Sequence, residues 1–480
     1  MSAKTTPLTG SLKTDAEEVK KRFGASFDLL IRFVKLGETD AAFISLDGMC
    51  DELKATEAVI RPLTDRVYTD GELLDTLLKR AYKGTDVKEA HDIEEACAAV
   101  TSGSLALLCG GERTALVFGV QGFAKKGIDE PQTEQNEKGS QEGFTDNCKD
   151  NAALLRRRLR TPELVIEQLT VGKTSRTSVL VCYLKGRADE KILGGIKKRI
   201  TEAKLDTVFG SGYIRPFLDR RTPGLFPATG ITERPDMLAA KLAEGRVGII
   251  TDGTPFAVIA PYLLADYFHS LDDYLSGTYY AVFIRLVRVV CFAAAVALPG
   301  MFVAVCLYHP EMLPAAVMYD IAAEEAQTPF PVMAEAVTIH LIYEIVREAG
   351  LRMPRAIGHA VSIVGALVIG DAAVTAGLIA APMLIIVALT TVCSSVVSKL
   401  HEPVAISRFL LIIAGGAAGL YGVFCGLGLL LADICSVSPF GVPFSAPFSP
   451  FVLRAQSDGI FLAGRKKLDR IKNGIRELKF

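Results

Sequence analysis

The feature that most constrains this chain is a series of long apolar stretches, nearly free of charge, between residues 289 and 431. A helix needs about 20 predominantly apolar residues to cross a bilayer. Several windows in this part of the sequence reach or approach that length, whereas residues 1–280 carry charges throughout. We therefore expect an α/β N-terminal soluble region followed by an α-helical multi-span transmembrane domain.

Four windows are expected to be separate spans, and they comprise residues 289–308, 357–379, 383–397 and 409–431. Lys and Arg residues flanking spans favour the cytoplasmic side, but here they give conflicting orientations if every window crosses once. One half-inserted segment within the domain 279–450 would remove the conflict. The alternatives are residues 329–346 and the Pro-rich residues 438–451.

Charged and polar side chains interrupt the apolar region at a few positions. His340, Glu344 and Glu348 recur every four residues, so they form one stripe on a helix that is otherwise apolar. Asp371 falls inside an expected span, where lipid would penalise an exposed carboxylate. We expect these side chains to face water or protein, and we assign Asp371, Glu344, His340 and His359 to a hypothetical ion pathway. The alternative for Asp371 is a hydrogen-bonded aspartate in a helix contact.

Small residues recur every four positions in two of the expected spans, a pattern that allows helices to approach closely in lipid. We expect helix packing through Gly358, Ser362, Ala366 and Gly370 in one span, and through Gly415 and Gly419 in another.

The soluble region divides into two α/β modules. Alternating apolar runs around turn residues predict hairpins within residues 27–47, 104–120, 164–184 and 246–259, and amphipathic spacing predicts helices near 189–203 and 236–244. We expect a flexible N-terminus (1–26), a first module (27–124), a linker (125–150) and a second module (151–278). The linker is expected because its composition offers little apolar surface to bury.

Several classes of function find no support in the sequence. The formal net charge of −1 lacks the basic footprint that nucleic acid requires. The ten cysteines are scattered without a CxxC pair, so we expect no metal site and no cofactor. No nucleophile, base and orienting residue can be recognised together, so we expect no catalytic residues and no enzyme activity. No signal peptide is apparent, and the tail 451–480 is basic, so both ends are expected in the cytoplasm.

Stretches in both halves resemble the GerA family of spore germination proteins, the A subunit of germinant receptors. They include EPQTE, ALLRRRLRTPELVIEQLTVGKTSRT, TERPDMLAAKLAEGRVGIITDGTPFAVI, HPEMLP, REAGLRMPRAIG, AVSIVGALVIG and FGVPFSAPFSP, in the family's order over roughly residues 27–450. His340, His359 and Asp371 depart from the family's usual residue types. The related stage V sporulation protein AF shares the Gly-Asp at 370–371, so a sporulation-specific channel component remains an alternative.

The resemblance implies a multi-pass protein of the spore inner membrane that contacts membrane lipid. It implies a transporter-like B subunit and a lipoprotein C subunit as partners, and a homo-oligomer that acts as an ion channel to convert nutrient sensing into germination. A structural scaffold or anchor for the receptor is the competing function. Charge within the spans distinguishes the two, because an anchor needs none.

Overall fold

The computed structural model describes residues 6–24, 26–36, 39–64, 86–122, 130–131, 133–134, 138–219, 224–353, 370–452 and 458–459. Two antiparallel sheets come first along the chain, and a helical region follows them. The expected order, with α/β modules before apolar helices, is therefore present.

The first sheet contains β1 (Leu29–Leu36), β2 (Thr39–Leu46), β3 (Val87–Ala90), β4 (Leu105–Cys109) and β5 (Ala115–Phe118). Its order is β1-β2-β4-β5-β3, and every neighbouring pair is antiparallel. Helices α1 (Leu12–Arg22) and α2 (Ile93–Thr101) cover one face, while the helical pieces Glu52–Lys54, Ala55–Ile60 and Arg61–Thr64 cover the other. Alternate strand residues point to opposite faces. Apolar strand residues of both sets are buried, so each face of the sheet has its own core.

The second sheet contains β6 (Leu164–Val171), β7 (Thr177–Leu184), β8 (Gly230–Thr232), β9 (Val247–Thr251) and β10 (Ala257–Ala260). Its order, β6-β7-β9-β10-β8, repeats that of the first sheet strand for strand. Helices α3 (Cys148–Arg158) and α6 (Pro235–Ala243) cover one face, and α4 (Glu190–Glu202) and α5 (Ser211–Asp219) cover the other. The two modules are thus structural repeats, a relationship that the hairpin and helix patterns do not predict.

The four predicted hairpins are confirmed as the pairs β1–β2, β4–β5, β6–β7 and β9–β10. In the last of them Gly253 has a φ of 83°, a left-handed conformation that glycine adopts without steric cost. The two predicted helices are confirmed as α4 and α6.

Two segments expected to lack structure are ordered at least in part. The predicted flexible N-terminus contains α1, because Val19 and Phe23 are buried in the first module. Part of the expected linker 125–150 contacts the second module, where Phe144 is buried and Cys148 begins α3. A few well-placed apolar residues provide the burial that overall composition does not suggest.

The helical region contains α7 (Thr278–Tyr308), α8 (Ala315–Glu325), α9 (Val332–Arg352), α10 (Ala381–Val396) and α11 (His401–Ser436). Among the described residues, two helical segments are long and apolar enough to cross a membrane, Thr278–Tyr308 and Ser398–Ser436. α10 is also apolar but shorter.

The last of these helices reverses direction, so the expectation of a single span over 409–431 is wrong. Ala418 and Gly419 have non-helical dihedral angles, and Gly419 has φ 61° and ψ −150°, which a residue with a side chain rarely adopts. A Cβ added to Gly426 would lie 2.5 Å from Leu411, although a straight helix would separate these positions by about 22 Å. α11 is therefore a helical hairpin with arms 401–417 and 420–436.

The hairpin lies along α7, with its ends near the second module and its tip near Tyr308. The backbone N–H of Leu225, in the second module, donates to Asp433 at 3.0 Å, and Lys399 forms an ion pair with Glu134. At the tip, the Tyr308 hydroxyl donates to the carbonyls of Gly416 and Ala417, 3.0 and 3.1 Å away. These two carbonyls end the first arm, so Tyr308 satisfies acceptors that the broken helix leaves free.

The Pro-rich segment 438–451 packs on the second module, which contradicts its half-insertion. Val442 and Phe444 are fully buried in the two cores of that module. The backbone N–H of Leu264 donates to the Phe444 carbonyl at 2.9 Å, and the Arg199 guanidinium lies 4.2 Å from the centre of the Phe440 ring. Of the two alternatives, only residues 329–346 remain for half-insertion.

Candidate functional site

A charged cluster lies between apolar helices, where α9 meets the first arm of the hairpin. The Glu344 carboxylate, on α9, accepts a hydrogen bond from Arg408 Nη2 at 3.2 Å. Its other oxygen lies 3.1 Å from His401 Nε2. His401 and Arg408 are seven residues apart, which is two helical turns, so they present their side chains on one face of the arm.

Burial makes this cluster energetically significant. The side chain of Arg408 is 0% exposed and that of Glu344 is 22% exposed. Taking a charge out of water costs several kcal/mol unless a partner and hydrogen bonds compensate for it. Within the described residues, Nε and Nη1 of Arg408 and the hydroxyl of Ser407 have no hydrogen-bond partner. The described groups around the cluster thus compensate for only part of its charge.

A second histidine lies one turn before Glu344 on α9. His340 is buried, with Nδ1 2.8 Å from the Ala336 carbonyl and Nε2 3.5 Å from the Thr390 hydroxyl. On the other side of the cluster, His401 Nδ1 lies 3.2 Å from the Ser394 hydroxyl. Polar side chains from α9, α10 and the hairpin therefore share one interior region, and groups able to carry protons or attract ions are close together there.

The structure brings together only some of the predicted pathway residues. His340 and Glu344 face the neighbouring helices, as their common stripe predicts. Glu348 is exposed and pairs with Arg352. Asp371 is exposed, and no hydrogen bond or ion pair among the described residues joins it to His340 or Glu344. His359 lies outside the described residues.

The expected packing residues are placed as follows. Gly358, Ser362 and Ala366 lie outside the described residues, and a Cβ added to Gly370 would lie 3.5 Å from Leu384. A Cβ added to Gly415 would collide with the Gly300 carbonyl, because the hairpin and α7 have their backbones in close contact there. Gly419 lies at the hairpin tip beside Tyr308.

His401 and Arg408 were not among the predicted site residues. In sequence they stand at the start of an apolar window, where basic residues look like flanking charges at the membrane surface. The available signal was their spacing of seven, which places both on the buried face of the helix. Their partner Glu344 is too distant in sequence to be paired with them by spacing.

A separate charged junction joins the start of α7 to the second module. Arg285 and Arg288 both contact Asp273, with nitrogen–oxygen distances of 3.2 and 2.7 Å. Burial alone would raise the pKa of Asp273, but the hydrogen bond from Arg288 and the positive charge of Arg285 lower it below its usual range. This carboxylate therefore stays charged at neutral pH and holds α7 to the module.

The same junction also contacts Asp458 and Gly459, which follow the helical region in the sequence. Arg285 Nη1 lies 3.1 Å from Asp458 Oδ1 and donates to the Gly459 carbonyl at 2.8 Å. His269 Nε2 is 2.8 Å from the same carbonyl. Burial lowers the pKa of His269 to about 3, and the positive charge of Arg285 acts in the same direction. His269 is thus neutral at physiological pH, and its Nε2 carries the hydrogen that Gly459 accepts.

Comparisons with known proteins give concordant results over most of the chain. A family model described as Bacillus/Clostridium GerA spore germination protein matches residues 17–472. Spore germination protein KA of Bacillus subtilis (strain 168) is 36% identical over 460 residues, covering 95% of this chain and 85% of that protein. The uncharacterized membrane protein YfkQ of the same organism is 34% identical over 452 residues, covering 93% and 87%.

Two further matches come from other Bacillus species. Spore germination protein GerLA of Bacillus cereus is 31% identical over 448 residues, covering 92% of this chain and 91% of that protein. Among solved structures, the crystal structure of the N-terminal domain of the A subunit of the Bacillus megaterium spore germinant receptor GerK3 is 27% identical. It has a TM-score of 0.43 and covers 54% of this chain and 98% of that chain.

Proposed function

This chain belongs to the GerA family of Bacillus/Clostridium spore germination proteins, and on that premise we propose that it is the membrane-spanning A subunit of a spore germinant receptor. In this role it converts nutrient sensing into germination by acting as an oligomeric ion channel. Two of the relatives described above are spore germination proteins, and YfkQ is a membrane protein. A transporter-like B subunit, a lipoprotein C subunit and further copies of this chain are the proposed partners.

One observation favours a channel over a scaffold, and it is the cluster of Glu344, His401 and Arg408 between the apolar helices. An anchor that only holds other subunits needs no charge in this position, and lipid strongly disfavours it. A hydrated path accommodates such charges, because water and passing ions compensate for them. Among the described residues, Nε and Nη1 of Arg408 lack an acceptor, and water in such a path would supply one.

The proposed orientation follows from the hairpin. Its two ends lie beside the second module and its tip beside Tyr308, so α11 enters and leaves on the side of the module. In our proposal the modules and the tail are cytoplasmic, and Tyr308 is at the opposite surface. The reversal contributes no net crossing, which removes the conflict that the flanking basic residues create.

Cation flux through vesicles that contain the purified protein and its receptor neighbours tests this function. Glu344→Gln and Asp371→Asn each remove a charge while retaining shape and hydrogen bonding, and we expect each to change flux several-fold at unchanged protein level. Asp371→Leu removes hydrogen bonding as well. Wild-type flux in both amide variants, combined with loss of assembly only in Asp371→Leu, would favour the scaffold and contradict the channel.

A further inference from the structure

The first four turns of α7 expose an apolar face that is rich in aromatic rings. Tyr279 is 94% exposed and Phe283 is 59% exposed, and the other exposed side chains of these turns are those of Tyr280, Leu286 and Val290. Positions 279, 283, 286 and 290 have the three-to-four spacing of one helix face. Single exposed apolar side chains are ordinary on a protein surface, but a contiguous row of large ones indicates a contact surface.

The basic residues of the same turns point the other way. Arg285 is fully buried against Asp273, and Arg288 contacts the same carboxylate. These two arginines are the only charged residues in the sequence of α7. A helix on the surface of a soluble protein has the reverse polarity, with apolar residues inward and charges toward water. The outward face of these turns is therefore suited to an apolar or amphipathic environment.

The length of α7 indicates which environment this is. Its 31 residues extend over about 46 Å at a rise of about 1.5 Å per residue. The hydrocarbon core of a bilayer is about 30 Å thick, and the bilayer with both headgroup layers is about 40–45 Å thick. With Tyr308 in the headgroup layer of the opposite surface, Tyr279 and Tyr280 fall in the layer on the side of the modules. Tyrosines at both ends match the aromatic belts of membrane helices.

A lipid surface suits this face better than a second copy of the chain does. Helices that pack against each other in lipid have small residues at their contact, which let the backbones approach. α7 contacts the hairpin in this way through Gly300, whereas the exposed face of its first turns carries large rings. We infer that these turns lie in the headgroup layer and bind lipid through Tyr279, Tyr280 and Phe283, so that the second module sits directly on the membrane. This placement rests on the proposed membrane-spanning role and extends the lipid contact to residues that precede the expected span 289–308.

Tryptophan fluorescence tests this lipid contact, because the sequence contains no tryptophan and each substitution supplies a single probe. The purified full-length chain with Phe283→Trp is placed in phosphatidylcholine nanodiscs whose lipids carry bromine, a contact quencher, either close to the headgroups or close to the ends of the acyl chains. We expect quenching to be several-fold stronger with bromine close to the headgroups. Tyr280→Trp should show the same preference, and it provides a second probe if Phe283→Trp does not fold.

Two further single-tryptophan variants are the controls. Phe209→Trp is the matched control, since Phe209 is 66% exposed but lies beside the β9–β10 turn, at the opposite end of β10 from the chain that leads to α7. Its fluorescence should be quenched by acrylamide in the aqueous phase and not by brominated lipid. Ala293→Trp, at an exposed position in the middle of α7, tests the membrane-spanning role itself. It should be quenched most strongly by bromine close to the chain ends.

The lipid contact is excluded, and the membrane-spanning role retained, if Ala293→Trp responds to bromine while Phe283→Trp and Tyr280→Trp do not. In that case quenching of the two probes by acrylamide would show that the face lies in water, and no quenching by acrylamide would show that protein covers it. Equal lipid quenching of Phe209→Trp and Phe283→Trp would contradict a contact specific to this face. Absence of lipid quenching at Ala293→Trp as well would overturn both the contact and the spanning role.

Discussion

Arg156 and Asp28 form a buried ion pair between the two sheet modules. Arg156 Nε donates to Asp28 Oδ2 at 2.8 Å and Nη2 donates to Oδ1 at 3.0 Å. Both side chains are almost completely inaccessible to solvent, and Ser26 adds a further contact. Because this pair spans α3 of the second module and the start of the first sheet, it fixes how the modules meet.

Removing one partner of this pair should destabilise the sheet modules strongly. Arg156→Met leaves the Asp28 carboxylate buried without its cation, so we expect a loss of about 3–5 kcal/mol in the free energy of unfolding. The control is Lys149→Met, since Lys149 pairs with Asp47 while 62% exposed and such pairs contribute less than about 1 kcal/mol. Urea denaturation followed by circular dichroism measures both; equal losses would contradict the account.

His269 makes stability depend on pH. Its pKa is lowered to about 3 in the folded chain, whereas an unfolded histidine titrates near 6.5. Between these values the unfolded state binds the additional proton, so stability is highest above about pH 6.5 and decreases as the pH falls toward 3. His269→Gln retains a donor for Gly459 but does not titrate.

We therefore expect the thermal midpoint of His269→Gln to change less between pH 7 and pH 4.5 than that of the wild type. The control is His91→Gln, because the His91 side chain is 68% exposed. It should retain the wild-type pH dependence. An identical pH dependence in His269→Gln would show that protonation at this junction does not limit stability.

At the scale of elements, the contact between α7 and the hairpin depends on glycine at two facing positions. A Cβ at Gly300 would lie 2.6 Å from the Leu411 carbonyl, and one at Gly415 would collide with Gly300. Backbones approach this closely only where side chains are absent. Of the two small residues expected to pack in this window, Gly415 lies in this contact, whereas Gly419 lies at the reversal beside Tyr308.

Gly415→Leu should separate α7 from the hairpin. We expect a lower thermal midpoint and faster proteolysis of the helical region in detergent, because the leucine side chain has no space beside Gly300. Gly428→Leu is the matched control, since no atom of the described residues lies within 4 Å of a Cβ added there. If both variants behave alike, the loss reflects added bulk in general and not this contact.

At the scale of the whole molecule, the second module is completed by residues that follow the apolar helices. Phe444 packs beside Phe226 and Tyr267, with ring centres 6.3 and 6.2 Å apart. Val442 and Phe440 contact the opposite core. The chain thus leaves the module, forms the helical region and returns to the same module, which ties the two regions together.

Residues 1–275 alone should form a soluble unit, as their hairpins and amphipathic helices predict, but one with an uncovered apolar groove. Adding a peptide of residues 437–452 should raise its thermal midpoint, because Phe444 and Val442 would again be buried. The same peptide with Phe444→Ala should have little effect, since truncating a buried phenylalanine costs about 3–5 kcal/mol. No stabilisation by either peptide would contradict this account.

Local patterns along the chain predicted the elements well. The hairpins at β1–β2, β4–β5, β6–β7 and β9–β10 were readable because alternation and turn residues act over a few positions. The site was readable only in part: the stripe of His340 and Glu344 indicated a polar face, but their surroundings come from other helices. The prediction for Asp371 rests on its charge within an apolar window, and the described structure shows no contact that links it to the cluster.

The sequence by itself determined the two modules, the apolar helical region and the family resemblance, because each depends on composition, on short-range periodicity or on motif order. Only the tertiary structure decided the repeat of strand order, the reversal at Ala418 and Gly419, and the return of residues 438–451 to the second module. It also decided the pairing of Glu344 with His401 and Arg408. These features depend on which surfaces bury each other across long distances in sequence, and periodicity contains no information about the partner that covers a given face.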